Sequence, residues 1–80
     1  MKVYVVIITE KDGQKGMDKL TSVFECYSTF EKARQSVFDK IKPFAYCRKV
    51  NETDRKNVFE ITDEQGKHIQ TLEIVDLFVQ

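Results

Sequence analysis

The sequence predicts an α+β domain in which one helix packs on one face of an antiparallel sheet of four to five strands. One segment has helical periodicity and recognisable ends, whereas the other apolar segments are short and strand-like. With 80 residues, the chain is long enough for a single core only, so residues 1–80 are predicted to form one domain. The predicted order of elements is β-β-α-β-β-β.

The helix is predicted from Ser28 to Pro43. Ser28 precedes Glu31 by three residues, which is the spacing of a capping box, and Pro43 is expected to end the helix. Phe38 lies at the edge of an apolar face whose members recur at helical spacing: Phe30, Ala33, Val37 and Ile41. Arg34 falls inside this face, so it is expected either to snorkel outward or to pair with a buried acid. The opposite face is polar: Glu31, Lys32, Gln35, Ser36, Asp39, Lys40 and Lys42.

Two strands are predicted before the helix. Val3 to Ile8 is almost continuously apolar, which is typical of a central strand that is covered on both faces. Leu20 to Tyr27 is the second strand, and the polar segment Glu10 to Lys19 is predicted to be a loop. Because this loop is too short for a helical crossover, the two strands should pair antiparallel.

Two or three strands are predicted after the helix. Phe44 to Val50 is apolar enough to begin a third strand, and Asn51 to Asn57 is predicted to be an exposed turn because it contains no apolar residue. Val58 to Thr62 and Lys67 to Val75 are expected to form a hairpin, since Gly66 supplies the positive φ that short turns need. The apolar residues that follow, from Leu77 to Val79, should also be packed, either as the end of the last strand or as a short separate piece.

The most informative functional feature of the sequence is the sheet face that one helix leaves uncovered. An apolar sheet face left to water is usually an interface. This favours a protein-binding function, either by homodimerisation or on another protein. The first strand is expected to contribute its even-numbered residues to this face, and the candidate interface comprises Tyr4, Val6, Ile8, Tyr27 and Phe78.

The charge distribution suggests a nucleic-acid-binding module as the alternative. Thirteen basic and thirteen acidic side chains cancel, but residues 31–56 hold eight basic against four acidic side chains. Phe44 and Tyr46 are interleaved with the basic residues of segment 40–56 and offer stacking surfaces. Glu52 and Asp54 interrupt the segment, so a solvated surface is the competing interpretation. The candidate contacts are Lys40, Lys42, Arg48, Lys49, Arg55 and Lys56.

Residues that support catalysis or metal binding are few and scattered. Cys26, Cys47 and His68 lack the close spacing of a zinc site, and His68 is the only histidine available to act as a base. Glu60 and Glu73 could face each other across a pair of strands, as two carboxylates in acid–base catalysis do. Acidic residues are, however, common on the solvent-exposed face of a sheet. We therefore predict a protein that is not an enzyme, with no catalytic residue, no cofactor, no metal and no small-molecule substrate.

The sequence also bears on cellular location. The apolar run at residues 3–8 is too short for a secretory signal or a membrane span, which favours a cytoplasmic protein that does not interact with membranes. Two cysteines fit a reducing compartment as packed thiols. By analogy of size and class alone, small cofactor-free sheet-and-helix proteins are common among phage and mobile-element accessory proteins that bind and block a host protein. An inhibitor-type accessory protein is the functional expectation.

Overall fold

A computed structural model describes the backbone of residues 1–11 and 18–80 and the side chains of residues 1–10 and 25–80. A short 3₁₀ helix, Lys42–Phe44, follows the α-helix. The regular elements are β1 (Lys2–Lys11), β2 (Asp18–Tyr27), α1 (Phe30–Ile41), β3 (Lys49–Glu52), β4 (Val58–Thr62) and β5 (His68–Phe78). The five strands form one antiparallel sheet in the order β2-β1-β5-β4-β3, which confirms the predicted α+β class and element order. The loop predicted for residues 10–19 is too long at both ends, because Glu10 pairs with Lys19 and Lys11 with Asp18 in extended strands; the rest of it, residues 12–17, lies outside the described part.

The helix begins one residue later than a cap at Ser28 would place it. Thr29 is the N-cap: its backbone is extended, and its hydroxyl accepts a hydrogen bond from the Lys32 backbone N–H at 3.2 Å. The Ser28 hydroxyl instead accepts from the Lys32 ammonium at 3.4 Å. At the other end, Pro43 lies in the first turn of the 3₁₀ helix, where the missing proline N–H costs no hydrogen bond.

The hydrophobic core lies between α1 and the sheet. Val37 has no exposed surface, and its helical neighbours Ala33 and Ile41 are also buried, as the periodicity predicts. Phe38 meets Phe59 edge to face, with ring centroids 5.8 Å apart. The sheet contributes one side of β1, β4 and β5 to this core: Val6, Phe59, Ile61, Leu72 and Ile74.

The prediction that the even-numbered residues of β1 lie on the uncovered face is wrong. Val6 is completely buried in the core, and Tyr4 and Ile8 pack against the same cluster. Strand alternation separates two rows of side chains, but both rows of this strand are apolar, so periodicity alone does not say which row meets the helix. The row on the other side begins with Val3.

The third strand begins at Lys49 and not at Phe44. Phe44 belongs to the 3₁₀ helix, and Tyr46, in the turn that follows, is 83% exposed. Asn51 and Glu52, predicted to lie in a turn, pair with β4. An edge strand needs only one apolar side, and this explains why polar residues are accommodated in β3.

Two polar side chains of α1 are packed differently from the simple helical pattern. The helical pattern predicts that Ser36 faces solvent, but it is buried, and its hydroxyl donates a hydrogen bond to the Ala33 carbonyl at 2.6 Å. Arg34 lies over the Phe38 ring at 4.9 Å and forms an ion pair with Glu52. The guanidinium thus snorkels along the core edge to an exposed acid, not a buried one.

The hairpin between β4 and β5 forms as predicted. Gly66 has φ +81°, a backbone conformation that favours glycine. The Asp63 carboxylate closes the turn by accepting a hydrogen bond from the Lys67 backbone N–H at 2.9 Å. β5 continues past the predicted end at Val75 and reaches Phe78. Within the described residues, no helix combines the length and the apolar content that crossing a membrane requires.

Candidate functional site

The sheet has one side covered by α1 and an opposite side, here called the open face, on which none of the described elements packs. Two pairs of apolar residues lie side by side on this face, because Val3 is the register partner of Leu77 and Val5 that of Val75. Val5 is only 5% exposed although it lies outside the core cluster beneath the helix. Its burial therefore comes from neighbours on the open face itself.

These residues form a continuous apolar surface on β1 and the end of β5. Leu77 is 50% exposed, as is Val79, and Met1 is more exposed still. The two chain ends extend the strand pairing: the Met1 ammonium donates to the Val79 carbonyl at 2.9 Å, and the Val79 N–H donates to the Met1 carbonyl at 2.7 Å. Leu77 and Phe78 are the end of the last strand, as one predicted alternative has it, but residues 77–79 are exposed, so the prediction that they are packed is wrong. We call this surface the open-face patch: Met1, Val3, Val5, Ile7, Val75, Leu77 and Val79.

The other half of the open face is polar. The Arg55 guanidinium lies 3.4 Å from the Glu73 carboxylate, forming an ion pair beside the patch. Glu60 is the register partner of Thr71 and Glu73 that of Val58, so the two glutamates are not directly opposite each other. They do not form the face-to-face carboxylate pair that the sequence allowed. The open-face patch thus has a charged border on the β4 side.

The candidate interface residues do not form one exposed surface. Phe78 is 78% exposed, but Tyr27 is half-buried on the helix side, where its hydroxyl donates to the Glu25 carboxylate. Tyr4 meets Phe30 edge to face at 6.1 Å. The residues that sequence reasoning missed are the odd-numbered members of β1 and their partners on β5. The signal for them was present, since the same apolar run contains both rows.

The six basic candidates for nucleic-acid contacts are divided among different surroundings. Lys40 pairs with Glu25 and Arg55 with Glu73, so two of the positive charges are already balanced. Lys56 lines a cavity near the start of α1, away from the end of that helix. Three cations form no ion pair with any described residue and lie together near the end of α1: Lys42, Arg48 and Lys49.

A groove lies between the last turns of α1 and the edge strand β3. It has a volume of about 580 Å³ and an apolar floor that includes Phe38, Ile41 and Val50. The three cations that have no ion-pair partner among the described residues also line it, and beside it the Arg48 guanidinium lies 5.0 Å from the centre of the Phe44 ring. We call this feature the basic groove: Phe38, Ile41, Val50, Ala45, Lys42, Arg48 and Lys49, with Gln35 and Asp39 at its margin.

The ion pairs shift the pKa values of the acids that they contain. The Lys40 ammonium, followed by the Tyr27 hydroxyl, lowers the pKa of Glu25 by hydrogen bonding to its carboxylate. Lys2 acts in the same way on Asp76 and lowers the pKa of that carboxyl. These contacts join α1 to β2 and β1 to β5, which is a structural role.

The cysteines and the histidine do not come together. Cys26 and Cys47 are free thiols; Cys26 is exposed, so the prediction that it is packed is wrong. The His68 Nε2 atom lies 2.8 Å from the Gln70 carbonyl and 2.8 Å from the Thr71 hydroxyl. Over the described part of the chain, no three potential metal ligands are grouped as a metal ion requires.

The open-face patch and the basic groove are two surfaces of the described residues that have recognisable binding chemistry. One is apolar and flat, and the other combines an apolar floor with positive charge. No known protein family, curated protein or solved structure matches this chain at a significant level.

Proposed function

We propose that this chain is a non-catalytic protein-binding protein that acts through the open-face patch, either by homodimerisation or by covering a site on another protein. The single observation that carries the proposal is the double apolar row on the side of the sheet opposite α1. Leu77 and Val79 each leave half of their side-chain surface to solvent there. Burial of such apolar surface is the main driving force of protein association.

The shape and charge of the patch favour a protein as the ligand. A sheet face packs readily on a second sheet face about 10 Å away, with the side chains of the two faces interdigitating. The patch itself contains no charged side chain, so it offers nothing to a phosphate or another small anion. A net charge of zero also means that two copies do not repel each other at long range.

Nucleic-acid binding through segment 40–56 has weaker support. Two of its six basic residues, Lys40 and Arg55, are paired with carboxylates, and Lys56 lies apart from the remaining three. Each phosphate contact requires a free cation, so a division of this kind reduces the electrostatic affinity. The sequence does not place a nucleophilic side chain next to a general base, which supports the proposal that the protein is not an enzyme.

We also propose a biological role and origin for the protein. An inhibitor-type accessory protein, of phage or mobile-element origin, is suggested by size and class alone. Free thiols at Cys26 and Cys47 support a reducing, cytoplasmic setting.

The test uses light scattering coupled to size exclusion, with the protein at concentrations up to about 0.1 mM, where a micromolar dimer is largely formed. Leu77→Lys places a charge in the patch, and Tyr46→Lys is the matched control because Tyr46 is exposed but lies elsewhere. We expect dimers of the native chain and of Tyr46→Lys, and monomers of Leu77→Lys. The modification rate of the Cys26 thiol, which lies beside Val5 on the open face, should fall on dimerisation.

A strictly monomeric native protein would exclude the homodimer version. The partner version is then tested by affinity capture from cell extract, with the captured protein identified and its binding reconstituted from purified components. Leu77→Lys should abolish that reconstituted complex and Tyr46→Lys should not. Equal binding by both variants would remove the open-face patch as the interface.

A further inference from the structure

We propose that the basic groove binds an extended acidic segment of a partner protein, anchored by an apolar side chain. The groove lies on the helix side of the sheet, whereas the open-face patch lies on the other side. The two surfaces are therefore independent, and this site goes beyond the function proposed above.

The floor of the groove suits an apolar anchor. Phe38 and Val50 are only partly buried, so each leaves apolar surface facing the groove, and Ile41 lies beneath them. A volume of about 580 Å³ falls in the usual range of ligand pockets and accommodates a leucine or phenylalanine side chain. Filling it would remove apolar surface of both partners from water.

The rim of the groove suits carboxylates. Lys42, Arg48 and Lys49 form no ion pair with the described residues, whereas Arg34 on the same side of the sheet is paired with Glu52. The one carboxylate in the lining is that of Asp39, and it accepts a hydrogen bond from the Gln35 amide at 3.0 Å. Three cations against one carboxylate leave a positive rim, and charge complementarity selects an acidic partner.

The neighbouring edge strand suits an extended chain. β3 is at the edge of the sheet and pairs with β4 on one side only. A partner segment that adds along the free edge of β3 would place alternate side chains on the helix side, level with Val50 and the groove. The observations thus favour an extended polypeptide over a compact small molecule.

A nucleic acid fits the same groove less well. If three cations each neutralised one phosphate of duplex DNA, the logarithm of the binding constant would fall with the logarithm of the salt concentration with a slope of only about −2.7, at about 0.9 per phosphate. The Arg48 guanidinium lies 5.0 Å from the centre of the Phe44 ring and competes with a base for stacking there, so Tyr46, at 83% exposure, is the more accessible ring. An apolar floor also adds nothing to phosphate binding.

The test is fluorescence anisotropy with a short fluorescein-labelled peptide of alternating glutamate and leucine. Two control peptides replace the leucines by serine or the glutamates by lysine. The native chain is compared with the double variant Lys42→Glu/Lys49→Glu, and with Lys56→Glu/Lys67→Glu, which makes the same charge change at exposed lysines elsewhere. Ala45→Asp, at an exposed position in the lining, adds a negative charge without removing a cation. Thermal melting establishes that each variant is folded.

We expect the native chain to bind the glutamate–leucine peptide more tightly than either control peptide, with an affinity that falls as salt rises. Lys42→Glu/Lys49→Glu should weaken binding by about tenfold or more, Ala45→Asp should weaken it in the same direction, and Lys56→Glu/Lys67→Glu should leave it unchanged. Leu77→Lys should also bind normally, which separates this site from the open-face patch.

Three results would overturn the proposal. Equal affinity for the leucine and serine peptides would show that no apolar anchor is bound. Equal losses in the two double variants would show that only net charge matters. Tighter binding of a single-stranded oligonucleotide, lost in Lys42→Glu/Lys49→Glu, would make the groove a nucleic-acid site.

Discussion

Replacing Val37 by alanine tests the central packing of the fold, because this side chain has no exposed surface and lies between α1 and the sheet. The substitution removes the equivalent of two methylene groups, worth about 1.6 kcal/mol in transfer free energy. The residual cavity adds about 1 kcal/mol. We therefore expect Val37→Ala to lower the free energy of unfolding by roughly 2–3 kcal/mol.

This loss is large for so small a domain. A chain of 80 residues has a total free energy of unfolding of about 4–12 kcal/mol. Val37→Ala should therefore lower the melting temperature by roughly 10–20 °C and leave the denaturant m-value unchanged. Val37→Asp should prevent folding altogether, because a carboxylate buried there has no partner.

Lys32→Ala is the matched control on the solvent side of the same helix. It removes one exposed hydrogen bond to Ser28, and alanine favours the helix, so the free energy of unfolding should change by less than about 0.5 kcal/mol. Urea unfolding followed by circular dichroism measures both variants. Similar losses for Val37→Ala and Lys32→Ala would refute the packing of α1 on the sheet.

Two further outcomes follow from the ion pairs and the turns. The folded-state pKa of Glu25 is below its ordinary 4.5, so its stabilisation is present above that pH and is lost as the pH falls through the folded value. Glu25→Gln should therefore flatten the dependence of melting temperature on pH in the acid range, measured against Glu10→Gln as the control. Gly66→Ala should lower the free energy of unfolding by about 1 kcal/mol. The loss comes from the positive φ alone, because no atom lies within 4 Å of the added Cβ. Gly66→Asn should cost less, and thermal melts that rank the two in the opposite order would contradict this explanation.

Local signals in the sequence were sufficient for the helix and the hairpin. α1 has both a periodic apolar face and hydroxyl residues at its start, and the ambiguity between Ser28 and Thr29 shifted its cap by only one residue. The third strand was misplaced for a different reason. The apolar character of Phe44 and Tyr46 favours a strand, but Pro43 fixes a backbone angle that continues the helical path, and both aromatic rings are exposed.

The membership of the open-face patch could not be predicted from β1 alone. Val5 and Val6 are both apolar and both buried, yet one faces the open side and the other faces α1. Which row meets the helix depends on the crossing of α1 over the sheet, a tertiary property that strand alternation does not contain. The pairing of β1 with β5 was equally necessary, since it places Leu77 beside Val3.

The basic groove shows why charge clustering along a chain is a weak guide to a surface. Lys49 and Arg55 are close in sequence, but Lys49 begins β3 and Arg55 follows its end, and an extended strand rises about 3.3 Å per residue. Lys42 and Lys49 are also separated in sequence, yet they line the same groove because the 3₁₀ helix and the following turn bring the end of α1 beside β3.

The placement of the two surfaces on opposite sides of one sheet has a consequence for assembly. If two copies associate through their open-face patches, two-fold symmetry leaves one basic groove on each outer side of the pair. A partner with two acidic segments would then bind both grooves, and its second contact would be intramolecular, which raises the overall affinity without any new interaction. Leu77→Lys would therefore reduce the affinity for a tandem glutamate–leucine peptide while leaving that for the single peptide unchanged. Equal affinities of the native chain for the tandem and single peptides would show that the grooves of a dimer do not act together.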